Sequence, residues 1–265
     1  MNVFQAAVLG IVQGLTEFLP VSSSGHLVLF QQIMGIEGDA LFFDTMLHLG
    51  TLAAVVVVLW KDIISILRHP LKKPFWVLVV ATVPAVVATL LFEDFFEGAY
   101  SGQYLSVGFL FTALLLCAAE LVNDMSKKKL GDVGYSHALI IGSMQAVAIL
   151  PGVSRSGSTL VGGLFCGLER SKAANFAFLM SIPVILGSVV YQGYDVIKTG
   201  AIDVGVAPTI VGMVCAGVSG FFAVKFMLNL VRKHKLYGFA IYVAILGVLV
   251  LTDQLFTNVL LANPF

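Results

Sequence analysis

Charge is sparse in this chain. Asp, Glu, Lys and Arg make up 11% of its 265 residues, the two signs balance at 15 each, and there is no basic tail to hold nucleic acid. Cysteine is scarcer still. Cys117, Cys166 and Cys215 lie too far apart for a CxxC motif and each falls in an apolar run, so they read as packing residues rather than metal ligands or disulfide partners. The stretch from Met1 to Leu19 has no Lys or Arg and no small-residue cleavage site. It does not read as a cleaved signal peptide and is expected to stay in the mature protein.

What fills the chain instead is hydrocarbon. A hydrophobic fraction of 58% and a mean hydropathy of +0.97 exclude an ordinary soluble domain and define an all-α polytopic membrane protein. The length allows about six to eight spans of ~20 residues, read here as a single membrane domain over 1–265.

Against that background one stretch is out of place. Gln13-Gly14-Leu15-Thr16-Glu17-Phe18-Leu19-Pro20-Val21-Ser22-Ser23-Ser24-Gly25-His26 gathers a carboxamide, a carboxylate, three consecutive hydroxyls and an imidazole. A lipid-facing Glu17 would cost roughly 2.5–3.5 kcal/mol. The segment must therefore face protein, water or a ligand.

A second stretch repeats it. Shifted by 132 positions, Gln13 falls on Gln145, Val21 on Val153, Ser22 on Ser154, Ser24 on Ser156 and Gly25 on Gly157, with Arg155 in place of Ser23. The offset is half the chain. Each half begins with two short helices around a polar turn: 3–19 and on to about Met34 in the first, 136–150 and 158–168 in the second. Such a pair reads as a re-entrant hairpin, with irregular backbone tolerated only where protein or water surrounds it. Three apolar runs follow in each half, near 46–67, 75–92 and 105–122, then near 174–193, 206–228 and 238–256. The repeats span 1–122 and 133–256, joined by a linker near 123–135. The linker Arg68–Pro74 and the segment Glu93–Gln103 carry Pro, Gly and charge as loops do.

Three spans per repeat is an odd number, which predicts two repeats of opposite orientation. Charge bias tests this separately. Lys61, Arg68, Lys72, Lys73, Lys127, Lys128, Lys129, Arg170, Lys172, Lys225, Arg232, Lys233 and Lys235 cluster in loops on one side. Glu93, Asp94, Glu97, Asp195 and Asp203 mark the other, where Lys198 is the only basic residue. The basic side is cytoplasmic. Both termini then lie outside, and the two hairpins dip in from opposite sides so that their tips meet.

At that meeting point Gln13 and Glu17, four apart, share a helical face whose oxygens suit a hard divalent cation such as Mg²⁺. Arg155 sits between two serines ahead of an apolar helix, and guanidinium forks match phosphate oxygens. The bland reading of both is an internal Glu17–Arg155 ion pair, and the two readings are compatible as a free and a bound state. The Ser- and Gly-rich turns add hydroxyls, backbone N–H groups and helix N-termini for an anion. Ser23 and His26 are three apart and close enough to interact, and either His or Glu can supply the base a serine nucleophile needs. Serine is also a common cap and packing residue, and Thr159 reads most simply as a helix residue bonding back to its own helix. His48 reads as a satisfied core histidine; His69, His137 and His234 read as solvated.

The Gln-x-x-x-Glu spacing, the Pro20–His26 run and the Pro-Gly-Val-Ser-Arg-Ser-Gly-Ser-Thr run from Pro151 to Thr159 resemble the signature motifs of the bacterial undecaprenyl-diphosphate phosphatase family, the integral-membrane type associated with bacitracin resistance. The similarity covers the whole chain in length and motif order. It implies a metal-dependent hydrolase that removes the terminal phosphate of undecaprenyl diphosphate at the outer face of the inner membrane and recycles the carrier for cell-wall synthesis. By motif, Glu17, Ser23, His26 and Arg155 match catalytic positions, and Ser22, Ser24, Ser154, Ser156 and Thr159 match positions around the phosphates. Gln13 and Glu17 match the metal site, with Mg²⁺ or Ca²⁺ as cofactor; Gln13 stands where the family also carries an acid. The implied partners are the polyprenyl diphosphate lipid and the bilayer, with no nucleic acid, and a homodimer is compatible with the sequence. The competing expectation is a transporter or flippase of a polyprenyl-phosphate lipid, which would use the same inverted architecture and anion site.

Overall fold

The computed structural model of the protein describes residues 1–36, 41–99, 102–125, 132–199 and 205–261. Among these the regular elements are all helical. The chain opens with α1 (Val3–Phe18), started by a reciprocal capping box between Asn2 and Gln5. It turns at Pro20 into α2 (Ser23–Ile33). α3 (Leu41–Val58), α4 (Trp60–Leu67), α5 (Lys73–Leu91), α6 (Glu93–Ala99) and α7 (Leu105–Met125) complete the first half. The second half holds α8 (Tyr135–Val147), α9 (Arg155–Phe165), α10 (Arg170–Thr199), α11 (Val206–Lys233) and α12 (Tyr237–Thr252), the last running into a π-helical turn at Asp253–Thr257.

Five helices are long and apolar enough to cross a membrane, and the bent pair α3–α4 makes a sixth if taken as one span. α5 leaves most of its apolar surface uncovered, and residues such as Phe4, Leu90, Val190 and Phe222 are exposed. An outward-facing apolar surface of this extent belongs against lipid. The protein is a multi-pass membrane protein.

Three expectations need correction. The run 46–67 is not one straight helix, because the chain bends by 82° between α3 and α4. The loop expected over Glu93–Gln103 contains α6, a seven-residue helix. The second half's motif helix begins at Arg155, not 158, because Ser154 caps it through Oγ to the Gly157 N–H at 3.0 Å. Lys127, Lys128, Lys129 and Asp203 lie outside the described residues, as do the side chains of Glu93, Asp94, Glu97, Asp195 and Lys198.

Packing places the two polar turns together. The first helix of each half lies on the penultimate long helix of the other: α1 against α11, and α8 against α5, while α7 packs on α12. Glycine makes both crossings possible. A Cβ on Gly10 would sit 2.3 Å from the Gly212 carbonyl oxygen, and one on Gly142 would sit 2.2 Å from that of Ala81. Close backbone approach through small residues is the usual means of helix association in lipid, where no hydrophobic force drives it.

A buried ion pair fastens the other end of the bundle. Glu120 on α7 is fully buried and accepts from Arg170 Nη1 at 2.7 Å and from the Leu236 N–H at 2.8 Å. Arg170 also donates from Nε and Nη2 to the carbonyl oxygens of Val231 and His234, at 2.9 and 2.6 Å. Sequence alone placed Arg170 only as a loop cation.

The glycine contacts generate a direct test. Gly10→Ala is expected to lower stability by about 1–3 kcal/mol, because the clash is with backbone and cannot be relieved by a rotamer change. Gly187→Ala, on α10 with open space around it, is expected to be neutral or slightly stabilising. Thermal unfolding of both variants in the same detergent distinguishes them.

Candidate active site

Glu17 ends the buried face of α1, one turn after Gln13, and is only 4% exposed. Its Oε1 pairs with Arg155 Nη2, the first residue of α9. Its Oε2 accepts from Ser23 Oγ at 2.6 Å and from Gln13 Nε2 at 2.9 Å. One carboxylate thus joins both polar turns. Only the first half carries it, since at the 132-residue shift Glu17 falls on Ile149.

The turns are built alike. Ser22 caps α2 through Oγ to the Gly25 N–H at 3.3 Å, as Ser154 caps α9. Ser22 and Ser24 hydroxyls lie 3.3 Å apart, and so do those of Ser154 and Ser156. Ser156 Oγ also donates across to the Leu19 carbonyl oxygen at 2.8 Å, tying the second turn to the first. Ser22 holds φ +67° and ψ +93°, an unusual conformation for a residue with a side chain, at a cost of about 1–3 kcal/mol. That geometry turns the chain sharply enough to bring Ser23 under Glu17.

His26 is elsewhere engaged. Its Nδ1 donates to the Ser22 carbonyl oxygen at 2.7 Å, and Nε2 meets the Tyr242 hydroxyl at 2.8 Å. The imidazole stacks on the Tyr242 ring and makes a T-shaped contact with Phe109. The group within hydrogen-bond reach of Ser23 Oγ is therefore Glu17. Thr159 bonds back to the Arg155 and Ser156 carbonyl oxygens at 2.9 and 3.3 Å, as its helical position suggested.

Two residues join the site that sequence reasoning did not select. His48, on α3, has Nδ1 2.9 Å from Gln13 Nε2 and 3.4 Å from Glu17 Oε2. Tyr242 arrives from α12, 216 positions after His26. No spacing in the sequence links either to the motifs; the nearest signal was a histidine in an otherwise apolar run.

The centre is not saturated. Among the buried polar atoms without a hydrogen-bond partner are Arg155 Nη1 and Gln13 Oε1, one donor and one acceptor. Buried groups are normally paired, so both are available to a ligand. A guanidinium, a carboxylate holding a hydroxyl, and serine-rich helix starts have the chemistry to hold an anion.

These features define a multi-pass α-helical membrane protein with a polar centre buried between two motif-bearing turns. Residues 6–249 match the family described as bacitracin resistance protein BacA. The chain is 45% identical to undecaprenyl-diphosphatase 4 of Bacillus thuringiensis subsp. konkukian, across 98% of this chain and the full length of that protein. It is also 45% identical to the undecaprenyl-diphosphatase of Carboxydothermus hydrogenoformans, over 96% of this chain and 98% of that one. For the Halothermothrix orenii undecaprenyl-diphosphatase the identity is 41%, over 95% and 98%. The protein belongs to the bacitracin resistance protein BacA family.

The His26–Tyr242 contact can be tested by stability. Tyr242→Phe keeps the stacked ring but leaves a buried imidazole nitrogen unpaired, with an expected loss of about 1–3 kcal/mol in thermal unfolding. Tyr242→Ala should lose more, since the stack goes as well. Equal stability of Tyr242→Phe and the parent would show that the hydroxyl contributes nothing.

Proposed function

We propose that this centre hydrolyses undecaprenyl diphosphate to undecaprenyl phosphate and inorganic phosphate, recycling the lipid carrier for cell-wall synthesis. The observation that carries the reading is a single buried carboxylate bonded at once to the Ser23 hydroxyl and to the Arg155 guanidinium, whose second terminal nitrogen is unpartnered. The substrate is a lipid, and an apolar multi-pass bundle with a polar centre is suited to a molecule that is hydrocarbon at one end and diphosphate at the other.

Substrate phosphate and Glu17 compete for Arg155. As the diphosphate enters, the guanidinium turns its fork to phosphate oxygens and releases Oε1 of Glu17. Ser22, Ser24, Ser154, Ser156 and Thr159 surround the phosphates with hydroxyls and with the N-termini of α2 and α9. Ser23 Oγ attacks the terminal phosphorus and its proton passes to Glu17 Oε2, already 2.6 Å away. The bond from phosphorus to the bridging oxygen breaks and undecaprenyl phosphate leaves. Water then cleaves the phosphoserine, with the proton returned from Glu17. His26, held by Ser22 and Tyr242, fixes the start of α2 on which Ser23 is carried. Positioning and charge neutralisation supply most of the rate.

The residues fit a divalent cation, Mg²⁺ or Ca²⁺. Gln13 Oε1 is a buried acceptor without a partner beside the Glu17 carboxylate, and one or two protein oxygens completed by water and phosphate are a normal Mg²⁺ environment. Gln13 and Glu17 would hold the ion, which supplies neutralisation of charge on the phosphates. Among the described residues no cluster of three His, Cys, Asp or Glu side chains offers a competing metal site.

The architecture supports two inverted repeats, 1–122 and 133–256. α2 and α9 share boundaries at the 132-residue shift, α7 and α12 start at the same shift, and α1–α11 packing mirrors α8–α5. In this reading α1–α2 and α8–α9 are re-entrant hairpins in the bacterial inner membrane, the termini lie outside and the site opens outward. The transporter reading gains no support from these relatives, which are named as diphosphatases.

Purified protein given undecaprenyl diphosphate in detergent is expected to release phosphate without any gradient, and to lose that activity in chelator. Ser23→Ala and Arg155→Ala should each reduce turnover by at least about 100-fold. Near-normal phosphate release by Ser23→Ala would remove serine attack from the mechanism.

A further inference from the structure

α4 and the residues behind it form a surface that the buried centre does not use. The 82° bend at Leu59 sets α4 nearly perpendicular to α3, so if α3 crosses the bilayer, α4 lies close to the membrane plane. Its faces differ in chemistry. Ile63 and Ile66 pack on the core, and Asp62 accepts from Asn175 Nδ2 on α10 at 3.2 Å, which anchors the helix. Trp60 and Leu67, with Leu71 just beyond, point apolar side chains outward, at 56%, 57% and 91% exposure. Lys61, Ser65 and Arg68, spaced by four and three, form an exposed polar stripe alongside. An in-plane helix with adjoining apolar and cationic stripes is the design of an interfacial segment.

Between those stripes lies a shallow, open cavity of about 360 Å³ lined by Trp60, Lys61, Ile64, Ser65, Arg68 and His69. Its wall holds two permanent cations, an imidazole and a hydroxyl, and no carboxylate. We propose that this cavity binds the headgroup phosphate of an anionic phospholipid from the adjoining leaflet. Lys61 and Arg68 take the phosphate oxygens, Ser65 and His69 add hydrogen bonds, and the glycerol and upper acyl carbons rest on Trp60 and Ile64. A free anion would leave the tryptophan and isoleucine unused; a lipid uses both halves of the wall. Lys72 and Lys73 follow within one turn and add attraction to a negative leaflet. The site is remote in chemistry from the diphosphate centre and does not depend on its assignment.

The test uses the full chain purified in mild detergent, with phosphatidylglycerol and phosphatidylcholine as probes and bound lipid counted by native mass spectrometry. The parent protein should prefer phosphatidylglycerol. Lys61→Gln and Arg68→Gln should each reduce that preference about fivefold at low salt, and the double variant about 25-fold. Trp60→Ala should weaken it too, and Lys225→Gln, a cation on α11, should leave it unchanged. All these side chains are exposed, so a shared thermal transition certifies the fold. A double variant with the parent's preference, an equal loss in Lys225→Gln, full retention by Trp60→Ala, or displacement of the lipid by millimolar inorganic phosphate would each overturn the proposal.

Discussion

The burial of Glu17 is the constraint from which the rest of this structure follows. A carboxylate that is 4% exposed inside an apolar bundle survives only with a countercharge at hand, and the countercharge is 138 positions away on the other half of the chain. The two turns must therefore meet. They meet because α1 leaves its own half to lie on α11 and α8 leaves its half to lie on α5, crossings that glycine alone makes close enough. The ion pair and the glycine contacts are two parts of one requirement.

The protein contains a second buried Glu–Arg pair, and the comparison separates structure from function. At Glu120–Arg170 both carboxylate oxygens and three guanidinium nitrogens are taken up by the protein itself, leaving the pair closed. At Glu17–Arg155 the same two residue types leave a guanidinium nitrogen without a partner, beside an unpartnered Gln13 oxygen and a hydroxyl bonded to the carboxylate. Closed pairs hold helices together. An open one keeps a buried donor and a buried acceptor that a ligand can satisfy.

Much of this was legible in the sequence, and for identifiable reasons. A carboxylate and a guanidinium in hydrocarbon announce themselves by cost, and the 132-residue repeat around them indicated that they share a centre. Helix types and most spans followed from apolar runs. What could not be read depends on contacts between distant elements. The break at Leu59 has no proline or glycine to mark it, only the Lys61-Asp62 pair that interrupts the apolar run just beyond. His48 and Tyr242 come from helices with no motif, and Glu120 was hidden because its partner Arg170 also counts as an ordinary loop cation. Ser23 and His26 show the opposite failure: their spacing suggested a pair, but the turn at Ser22 gives Ser23 to Glu17 and His26 to Tyr242.

The central claim is that Arg155 exchanges its buried carboxylate for the phosphate of a lipid. Binding of a methylene-bridged, non-hydrolysable prenyl diphosphate, measured in chelator, tests it without catalysis. Arg155→Gln should weaken binding by about 100-fold, whereas Glu17→Gln, which frees the guanidinium beforehand, should bind at least as tightly as the parent. Parent-like affinity in Arg155→Gln, or a loss in Glu17→Gln as deep as that of Arg155→Gln, would contradict the account.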